Sequence, residues 1–414
     1  MAPHADGAVQ LHAPARAVEF DAVITQFRSK FHSAGDCFLF GVGRALNLSE
    51  FDYDLPIERI AQRPLEQRDA SRMLVMDRAT GSIENTTFRE FEKLLRGDEL
   101  IVVNNVRVLP ARLLGRRKGL GAQPIGKNSP TRRENLTSPI EVLLLRSVGV
   151  NEWETLVRPG RKIPVDETIV FGNGELEAKV TSRDSYGQRT LKFSCKGDLA
   201  EAIERLGRIP LPPYIKRADE PIDRERYQTV FARQGAAAAA PTAGLHFTPE
   251  VLSSLTRRGV EICEITLNVG LGTFEPIRTE RIEDHHIHKE SYEIPNTAAD
   301  AINCARGQGR PVLAVGTTVV RALEDAAEKL ARKKSATSAG FQIEPGQFDA
   351  EIFLFPGKPF RVVRQLLTNF HLPRSSLLAL VSAFAGRENV LRAYRHAVES
   401  GYRFYSYGDC MWIR

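Results

Sequence analysis

The sequence predicts a three-layer α/β/α domain that carries an inserted small antiparallel β-barrel. Helical and strand periodicity alternate through the C-terminal half, and short, evenly spaced strands with turn residues between them occupy the middle of the chain. Of the 414 residues, 42% are hydrophobic, which is enough to fill more than one core. We expect a poorly ordered extension (1–47), a discontinuous α/β catalytic domain (48–107 and 200–414) and a barrel domain (108–199).

The first predicted elements lie between residues 50 and 110. A strand over 72–77 is followed by a turn at Thr80-Gly81, a helix over 88–95 and a strand over 99–104. Four consecutive apolar residues, 100–103, indicate that the last of these strands is buried on both faces.

The barrel segment contains five predicted strands, separated by Gly, Pro and Asn-Gly turns and by no helical periodicity of useful length. These strands cover residues 141–145, 152–157, 168–171, 175–181 and 189–193. Such spacing is typical of a small antiparallel barrel.

Helices and strands alternate after residue 199. Thr248-Pro249-Glu250 supplies the N-cap, the first-turn proline and the acid that begin a helix. Predicted strands cover 260–269, 311–315, 350–355 and 362–368. Further predicted helices cover 297–305, 319–330, 375–385 and 388–400. This alternation predicts a sheet with helices on both sides.

Composition excludes several classes of protein. No apolar stretch approaches the roughly 18–20 residues of a membrane span, and the N-terminus lacks the pattern of a secretory signal. The five cysteines are scattered and odd in number, unlike a disulfide framework or a Cys-x-x-Cys metal motif. We therefore expect a cytoplasmic protein in a reducing environment, with no membrane partner, and we expect a monomer.

The net charge of +6 comes from one stretch. Residues 112–133 contain seven basic and no acidic residues, whereas residues 1–47 contain four of each. This stretch is predicted to be a basic loop, either solvated and flexible or a tether for a phosphate backbone, whose binding would weaken steeply with salt.

Five short motifs carry candidate chemistry. The first, residues 240–248, is a turn of small residues before a capped helix, with Thr242 and Gly244 as candidate ligand contacts. His246 would point into the cleft and could transfer a proton, although a buried structural histidine is the alternative.

The second motif follows a strand and contains Gly270, Gly272 and Thr273. It lacks the third glycine and the helix of a dinucleotide fingerprint, which excludes the nicotinamide interpretation. The third, residues 284–290, has three histidines, but their spacing does not fit a metal site. We expect no metal, and a polar loop that presents His288 to a substrate.

The fourth motif takes a buried strand into a helix that begins with Thr317-Thr318, a potential site for a carboxylate or phosphate. Arg321 and Glu324 lie on one face of that helix, where they could pair with each other at the surface or hold a zwitterion. The fifth motif places Asn369 and His371 at the end of a strand, the edge where open α/β sheets bind ligands.

Seven further sequence motifs occur in order along with these five. They are DYDLP (52–56), RDASR (68–72), VNN (103–105), RPGR (158–161), IPLPPYI (209–215), DRERYQT (223–229) and SYGD (406–409). Together the twelve closely resemble the S-adenosylmethionine:tRNA ribosyltransferase-isomerase family of queuosine biosynthesis, from about residue 48 to the C-terminus.

The resemblance implies an α/β domain with an inserted β-barrel, and an enzyme that uses S-adenosylmethionine as a ribosyl donor. The acceptor would be 7-aminomethyl-7-deazaguanine at the wobble position of a tRNA. The products would be epoxyqueuosine-tRNA, adenine and methionine. S-adenosylmethionine is then a co-substrate, and no tightly bound cofactor is expected.

The implied chemistry needs a base near the carbon beside the sulfonium, and hydrogen bonds to the departing adenine. We assign proton transfer to His246 or His371. Thr317, Thr318, Arg321 and Glu324 would hold the amino-acid end, and the glycines of the second motif would lie near the ribose or adenine.

Several positions depart from the family pattern, and two of them adjoin the candidate site. Asn268 stands where the family usually has histidine, and Val319 replaces a serine at the helix start. Two other functions stay open: a non-catalytic tRNA-binding paralogue, and an S-adenosylmethionine-dependent RNA methyltransferase.

Overall fold

The structure is a computed structural model, and it describes residues 45–118, 138–160, 163–184, 188–270, 277, 279–333 and 342–414. Residues 1–44 of the predicted extension lie outside the described residues, as do 119–133 of the basic stretch. Residues 46–414 form one compact unit. Within it, a mixed α/β fold and a closed barrel inserted in the sequence confirm the predicted fold class.

The described residues form seventeen strands. In chain order they are β1 Arg72–Met76, β2 Ile83–Thr87, β3 Leu100–Asn104, β4 Val106–Val108, β5 Arg112–Arg117, β6 Ile140–Gly149, β7 Glu152–Arg158, β8 Thr168–Phe171, β9 Leu176–Arg183, β10 Gln188–Cys195, β11 Gln234–Ala237, β12 Glu261–Leu267, β13 Glu290–Ile294, β14 Val312–Val315, β15 Gly346–Ala350, β16 Val363–Asn369 and β17 Cys410–Ile413.

The described α-helices are fewer. They are α1 Phe91–Leu94, α2 Leu199–Leu206, α3 Asp223–Arg226, α4 Pro249–Arg257, α5 Asn296–Gly307, α6 Thr317–Lys333, α7 Ser376–Ala385 and α8 Arg387–Glu399. Helix α4 begins as predicted, because Thr248 caps it through a hydrogen bond from the Val251 amide and Pro249 opens its first turn.

Nine strands form one mixed sheet in the order β15-β13-β12-β3-β14-β16-β17-β1-β2. The four central strands, β12, β3, β14 and β16, are mutually parallel. Their side chains alternate between two cores, since Leu100 and Val102 of β3 enter one and Ile101 and Val103 enter the other. Both faces are covered, which makes three layers.

Different helices cover the two faces of this sheet. Helices α5, α6, α7 and α8 contribute apolar side chains to the core that contains Leu100, whereas α1 and α4 pack in the other core. Helices therefore lie on both sides of the sheet, as the run of apolar residues in β3 predicts.

Six antiparallel strands close into the barrel, in the order β10-β7-β6-β5-β8-β9. The stretch that begins at Arg112 is not a loop at its start, because residues 112–117 form β5 between β6 and β8. Its basic side chains are compensated there: Arg112 pairs with Glu141 at 2.9 Å, and Arg117 pairs with the fully buried Glu167 at 2.5 Å.

Two other predicted elements differ from the structure. The strand expected over 350–355 lies earlier, as β15, and residues 351–355 form no regular element. The helix expected over 88–95 is a 3₁₀ turn, Phe88–Glu90, followed by the short α1. No helix in the described part of the chain is both long and apolar enough to cross a membrane.

Candidate functional site

A pocket lies at the carboxyl edge of the parallel strands, where α/β sheets bind ligands. The segments that follow β12, β14 and β16 meet there with the turn that precedes α4. Its lining residues are Tyr214, Ala240, Pro241, Thr242, Ala243, Val269, Gly316, Thr317, Thr318, Thr368, Asn369, Phe370, His371, Leu372, Ser375, Leu377, Tyr405 and Ser406. Five of the predicted site residues, Thr242, Thr317, Thr318, Asn369 and His371, are among them.

The first turn of α6 forms one wall of the pocket. Gly316 makes the sharp entry from β14, with a φ of +93° and its amide bonded to the Leu367 carbonyl at 2.8 Å. The first amides of a helix have no intrahelical partner. The Thr318 hydroxyl is buried and has no hydrogen-bond partner among the described residues. This wall can therefore hold an anionic group.

The turn over residues 240–246 forms a second wall, in which Thr242 and Ala243 line the pocket and Gly244 does not. A Cβ atom at Gly244 would lie 2.9 Å from the Thr229 side chain. That glycine is needed for packing behind the wall, so its contribution to the pocket is indirect.

His246 lies behind the pocket, buried, and both of its ring nitrogens are engaged. Its Nδ1 lies 2.7 Å from the Ser71 hydroxyl, and its Nε2 lies 3.2 Å from Oδ1 of Asn369. Burial lowers the pKa of His246 to about 4. The neutral ring can donate to Asn369 and accept from Ser71 at the same time. His246 is not among the residues that line the pocket, whereas we expected it to point into the cleft.

His371 lines the pocket, and the structure fixes both its backbone and its ring. The Tyr53 hydroxyl donates to its carbonyl at 2.5 Å, and its amide donates to the Tyr394 hydroxyl at 3.1 Å. Its Nε2 bonds to the Thr368 hydroxyl at 2.8 Å, whereas its Nδ1 has no hydrogen-bond partner among the described residues. Burial lowers the pKa of His371 to about 3. At neutral pH the imidazole is therefore uncharged, and it is held in a fixed orientation.

Two tyrosines that the sequence analysis did not single out complete the pocket. Tyr214 and Tyr405 are in contact, with ring centroids 4.6 Å apart, and the Tyr214 hydroxyl bonds to Ser406 at 2.6 Å. Both belong to or adjoin motifs of the resemblance, IPLPPYI and SYGD, which were the available signal.

Arg321 pairs with Glu290 rather than with Glu324, and the ion pair is almost fully buried. Glu290 also accepts the amide of Gly270 at 3.0 Å. Glu324 instead accepts the amides of three consecutive residues, Arg361, Val362 and Val363, at 2.6–3.0 Å. Neither Arg321 nor Glu324 lines the pocket. Burial raises the pKa of Glu324, and the three amides oppose that effect.

The remaining predicted site residues lie away from the pocket or outside the described residues. The His288 side chain is exposed, and its carbonyl accepts a hydrogen bond from Arg321 at 3.2 Å. Gly272 and Thr273 lie outside the described residues. In the described ranges, no three His, Cys, Asp or Glu side chains are placed to hold a metal ion.

The two departures from the family pattern are accommodated differently. The Asn268 amide group donates to the Ser291 hydroxyl at 3.1 Å. Val319 is fully buried and packs in the core that contains Leu100, so its side chain points away from the wall made by Thr317 and Thr318. The missing hydroxyl therefore leaves the pocket lining unchanged.

The two buried histidines make the stability of the protein depend on pH. Unfolded histidine has a pKa of about 6.5, so below that pH the unfolded chain binds protons that His246 and His371 in the folded chain do not. The free energy of unfolding falls as the pH drops from about 6.5 to 4, with each histidine contributing up to about 1.4 kcal/mol per pH unit.

We expect His371→Gln to flatten this dependence relative to the unsubstituted protein, as measured by urea unfolding between about pH 4.5 and 7. His396→Gln is the control, because that side chain lies on α8 and bonds to Asn85 and Ser400 away from the pocket. If the free energy of unfolding of the His371 variant has the same pH dependence as that of the unsubstituted protein, the ring binds its proton equally well in the folded and unfolded chains.

The fold and the site define an α/β protein with an inserted β-barrel and a small-molecule pocket at the carboxyl edge of its sheet. The model of a family described as queuosine biosynthesis protein matches residues 48–413. The chain belongs to this family.

Curated relatives are similar over their whole length. The S-adenosylmethionine:tRNA ribosyltransferase-isomerase of Solibacter usitatus is 52% identical over 89% of this chain and 100% of its own. That of Moorella thermoacetica is 49% identical over the same shares. A crystal structure of S-adenosylmethionine tRNA ribosyltransferase from Thermotoga maritima is 34% identical, covering 88% of this chain and 100% of that one, with a TM-score of 0.47. The family resemblance inferred from the motifs is confirmed.

Proposed function

We propose that this chain transfers and isomerises the ribosyl group of S-adenosylmethionine onto 7-aminomethyl-7-deazaguanine at the wobble position of a tRNA. The products are epoxyqueuosine-tRNA, adenine and methionine. The observation that carries the proposal is the meeting, in one pocket, of a helix N-terminus bearing Thr317 and Thr318 with a fixed neutral histidine, His371. Identity of 52% over the whole of a relative with this activity supports it.

The methionine end of the donor fits the first turn of α6. Its carboxylate can accept hydrogen bonds from the free amides of that turn and from the Thr318 hydroxyl, which otherwise has no partner among the described residues. Arg321 contributes indirectly, because Glu290 links it to Gly270, next to the lining residue Val269. Glu324 does not contact the ligand in this proposal. It holds the segment that leads into β16, through the amides of residues 361–363.

Proton transfer falls to His371. Removing a proton from the carbon beside the sulfonium requires a base within hydrogen-bond reach, in its neutral form. His371 lines the pocket, is neutral, and is held by Thr368 through Nε2. His246 has no nitrogen available without breaking its bonds to Ser71 or Asn369.

Free adenine tests the proposal. The protein is incubated with S-adenosylmethionine and a tRNA that carries 7-aminomethyl-7-deazaguanine, and the small-molecule products are separated. We expect adenine and methionine in equal amounts, with epoxyqueuosine in the digested tRNA. S-adenosylhomocysteine would indicate a methyltransferase, and unchanged donor with bound tRNA would indicate a non-catalytic paralogue; either result contradicts the proposal.

The basic stretch gives a separate prediction about tRNA. Since Arg112 and Arg117 are paired within the barrel, the charges left for a phosphate backbone include Lys127, Arg132 and Arg133, which lie outside the described residues. Reversing these three to glutamate should weaken tRNA binding. The slope of log K against log salt should become shallower by about 0.7–0.9 for each phosphate that the variant no longer neutralises.

Filter binding or fluorescence anisotropy over a salt series measures this slope. Binding of S-adenosylmethionine should stay unchanged in the same variant, which serves as the internal control. A tRNA affinity and salt slope equal to those of the unsubstituted protein would leave the stretch as a solvated segment.

A further inference from the structure

We infer that Tyr214 and Tyr405 form the platform for the adenine base of the donor, and that His246 holds this platform in place through Asn369. The inference rests on the proposed function, because it names the part of the donor that each end of the pocket receives. It gives His246 a positioning role in place of proton transfer.

The two tyrosines form an aromatic corner built from segments far apart in the chain. Their ring centroids are 4.6 Å apart and their planes meet at 45°, and both residues line the pocket. Ser406 fixes the corner through the Tyr214 hydroxyl, at 2.6 Å. The hydroxyl of Tyr405 is buried and has no partner among the described residues, although its residue lines the pocket. A flat base with ring nitrogens and an amino group satisfies both features.

Tyr405 adopts a backbone conformation that bulky residues avoid. Its φ is +70°, in the left-handed region, where a large side chain persists only when its surroundings impose the conformation. Asn369 Nδ2 donates to the Tyr405 carbonyl at 2.9 Å, and the Tyr405 amide donates to the Phe370 carbonyl at 3.3 Å. Such conformations cluster at functional sites, and this one places the ring in the pocket.

A chain of hydrogen bonds links His246 to this tyrosine. Because Asn369 uses its NH₂ group on the Tyr405 carbonyl, its Oδ1 faces His246 Nε2 at 3.2 Å and accepts from it. Nδ1 of His246 then accepts from the Ser71 hydroxyl at 2.7 Å. The contact with Asn369 requires hydrogen on Nε2 of His246. Because burial lowers the pKa of the ring, His246 is neutral at neutral pH, and its Nδ1 is then the acceptor for the Ser71 hydroxyl. His246 therefore sets the orientation of the asparagine amide.

One end of the pocket is polar and the other is aromatic, which matches the amino-acid end and the adenine end of the donor. The first turn of α6 offers amides and hydroxyls to a carboxylate, whereas the tyrosine corner offers aromatic faces to a base. Stacking of a base on aromatic side chains contributes strongly to binding, because every base has a π-face. His371 lines the same pocket, so the reacting ribose lies near a proton acceptor.

Calorimetric affinities for two ligands distinguish the contributions of the two ends of the pocket. 5′-Methylthioadenosine has the adenine and ribose of the donor but no amino acid, and S-adenosylmethionine has both. Tyr405→Leu and Tyr214→Leu should each weaken both ligands about tenfold or more. Tyr405→Phe keeps the ring and loses only the hydroxyl contact, so it should weaken both ligands less than Tyr405→Leu does. Thr318→Val should weaken S-adenosylmethionine alone.

His246→Gln tests the positioning role. We expect the donor KM for adenine release to rise about tenfold, with a smaller change in kcat, and the affinity for 5′-methylthioadenosine to fall in parallel. A fall in kcat at saturating donor with unchanged affinity would instead assign His246 to the chemical step and overturn the relay. Thermal unfolding of each variant confirms that it is folded.

The outcomes separate this inference from the proposed function. Adenine release by the unsubstituted protein, with normal 5′-methylthioadenosine binding in both leucine variants, overturns the platform alone. Tight 5′-methylthioadenosine binding that requires the tyrosines, without adenine release, supports the platform and contradicts the proposed reaction. Loss of tRNA affinity with normal nucleoside affinity in the leucine variants would show that the corner receives a tRNA base, and would overturn the inference.

Discussion

Replacing His371 by alanine is expected to lower kcat for adenine release by about 10²–10⁴, the usual contribution of general acid–base catalysis. His371 lines the pocket, and hydrogen bonds hold both its backbone and its ring in place. Its backbone is fixed by Tyr53 and Tyr394, and its Nε2 by Thr368. Loss of the imidazole removes the proton acceptor and its contact with Thr368, while the two backbone contacts with Tyr53 and Tyr394 remain.

The measurement is single-turnover adenine release at saturating donor and tRNA, so that binding does not enter the rate. His396→Ala is the matched control, because it removes another histidine, hydrogen-bonded to Asn85 and Ser400 on the α8 side of the fold. Affinity for 5′-methylthioadenosine should be similar in both variants. A single-turnover rate for His371→Ala within about threefold of the control would remove His371 from the chemistry.

The central strands could be predicted because burial on both faces leaves a plain signal. The apolar stretch 100–103 lies in β3, and β14 is a similar apolar run, whereas β16 has only Leu366 and Leu367 in succession. Edge strand β2, Ile83–Thr87, was missed because its sequence is mostly polar and its side chains are largely exposed. Strand β17 was missed because only four residues at the chain end form it. Its assignment depends on partners β1 and β16, which periodicity does not reveal.

The pocket could be predicted in part for the same reason. Thr317, Thr318 and His371 directly follow buried parallel strands, and the carboxyl ends of such strands share one edge. The tyrosine corner could not, since Tyr214 and Tyr405 come from separate loops and the positive φ of Tyr405 carries no sequence signature. Helix-face spacing also suggested that Arg321 could meet Glu324, whereas long-range packing brings Glu290 to it instead.

Breaking the buried ion pair between Arg321 and Glu290 is expected to lower the stability of the protein strongly. Their side chains are 5% and 3% exposed, so replacing Arg321 removes the buried positive charge that faces the Glu290 carboxylate. Breaking such a pair costs about 3–5 kcal/mol. Arg321→Met should therefore lower the free energy of unfolding by about that amount. It also removes one contact of Glu290, which accepts the Gly270 amide.

Helix α6 supplies the matched control for this effect. Arg332 pairs with Glu328 one turn away on the same helix, but the Arg332 side chain is 74% exposed. Arg332→Met should change the free energy of unfolding by about 0–1 kcal/mol, as exposed ion pairs do. Urea unfolding at neutral pH measures both variants under the same conditions.

A double variant decides whether the buried Glu290 charge, once it has lost Arg321, is the cause. If it is, replacing Arg321 and Glu290 together by methionine and glutamine removes the uncompensated charge, and the double variant should be more stable than Arg321→Met alone. Additive losses would show that the two side chains stabilise the fold through separate packing contacts. A loss for Arg321→Met no larger than that for Arg332→Met would mean that water reaches the pair in solution.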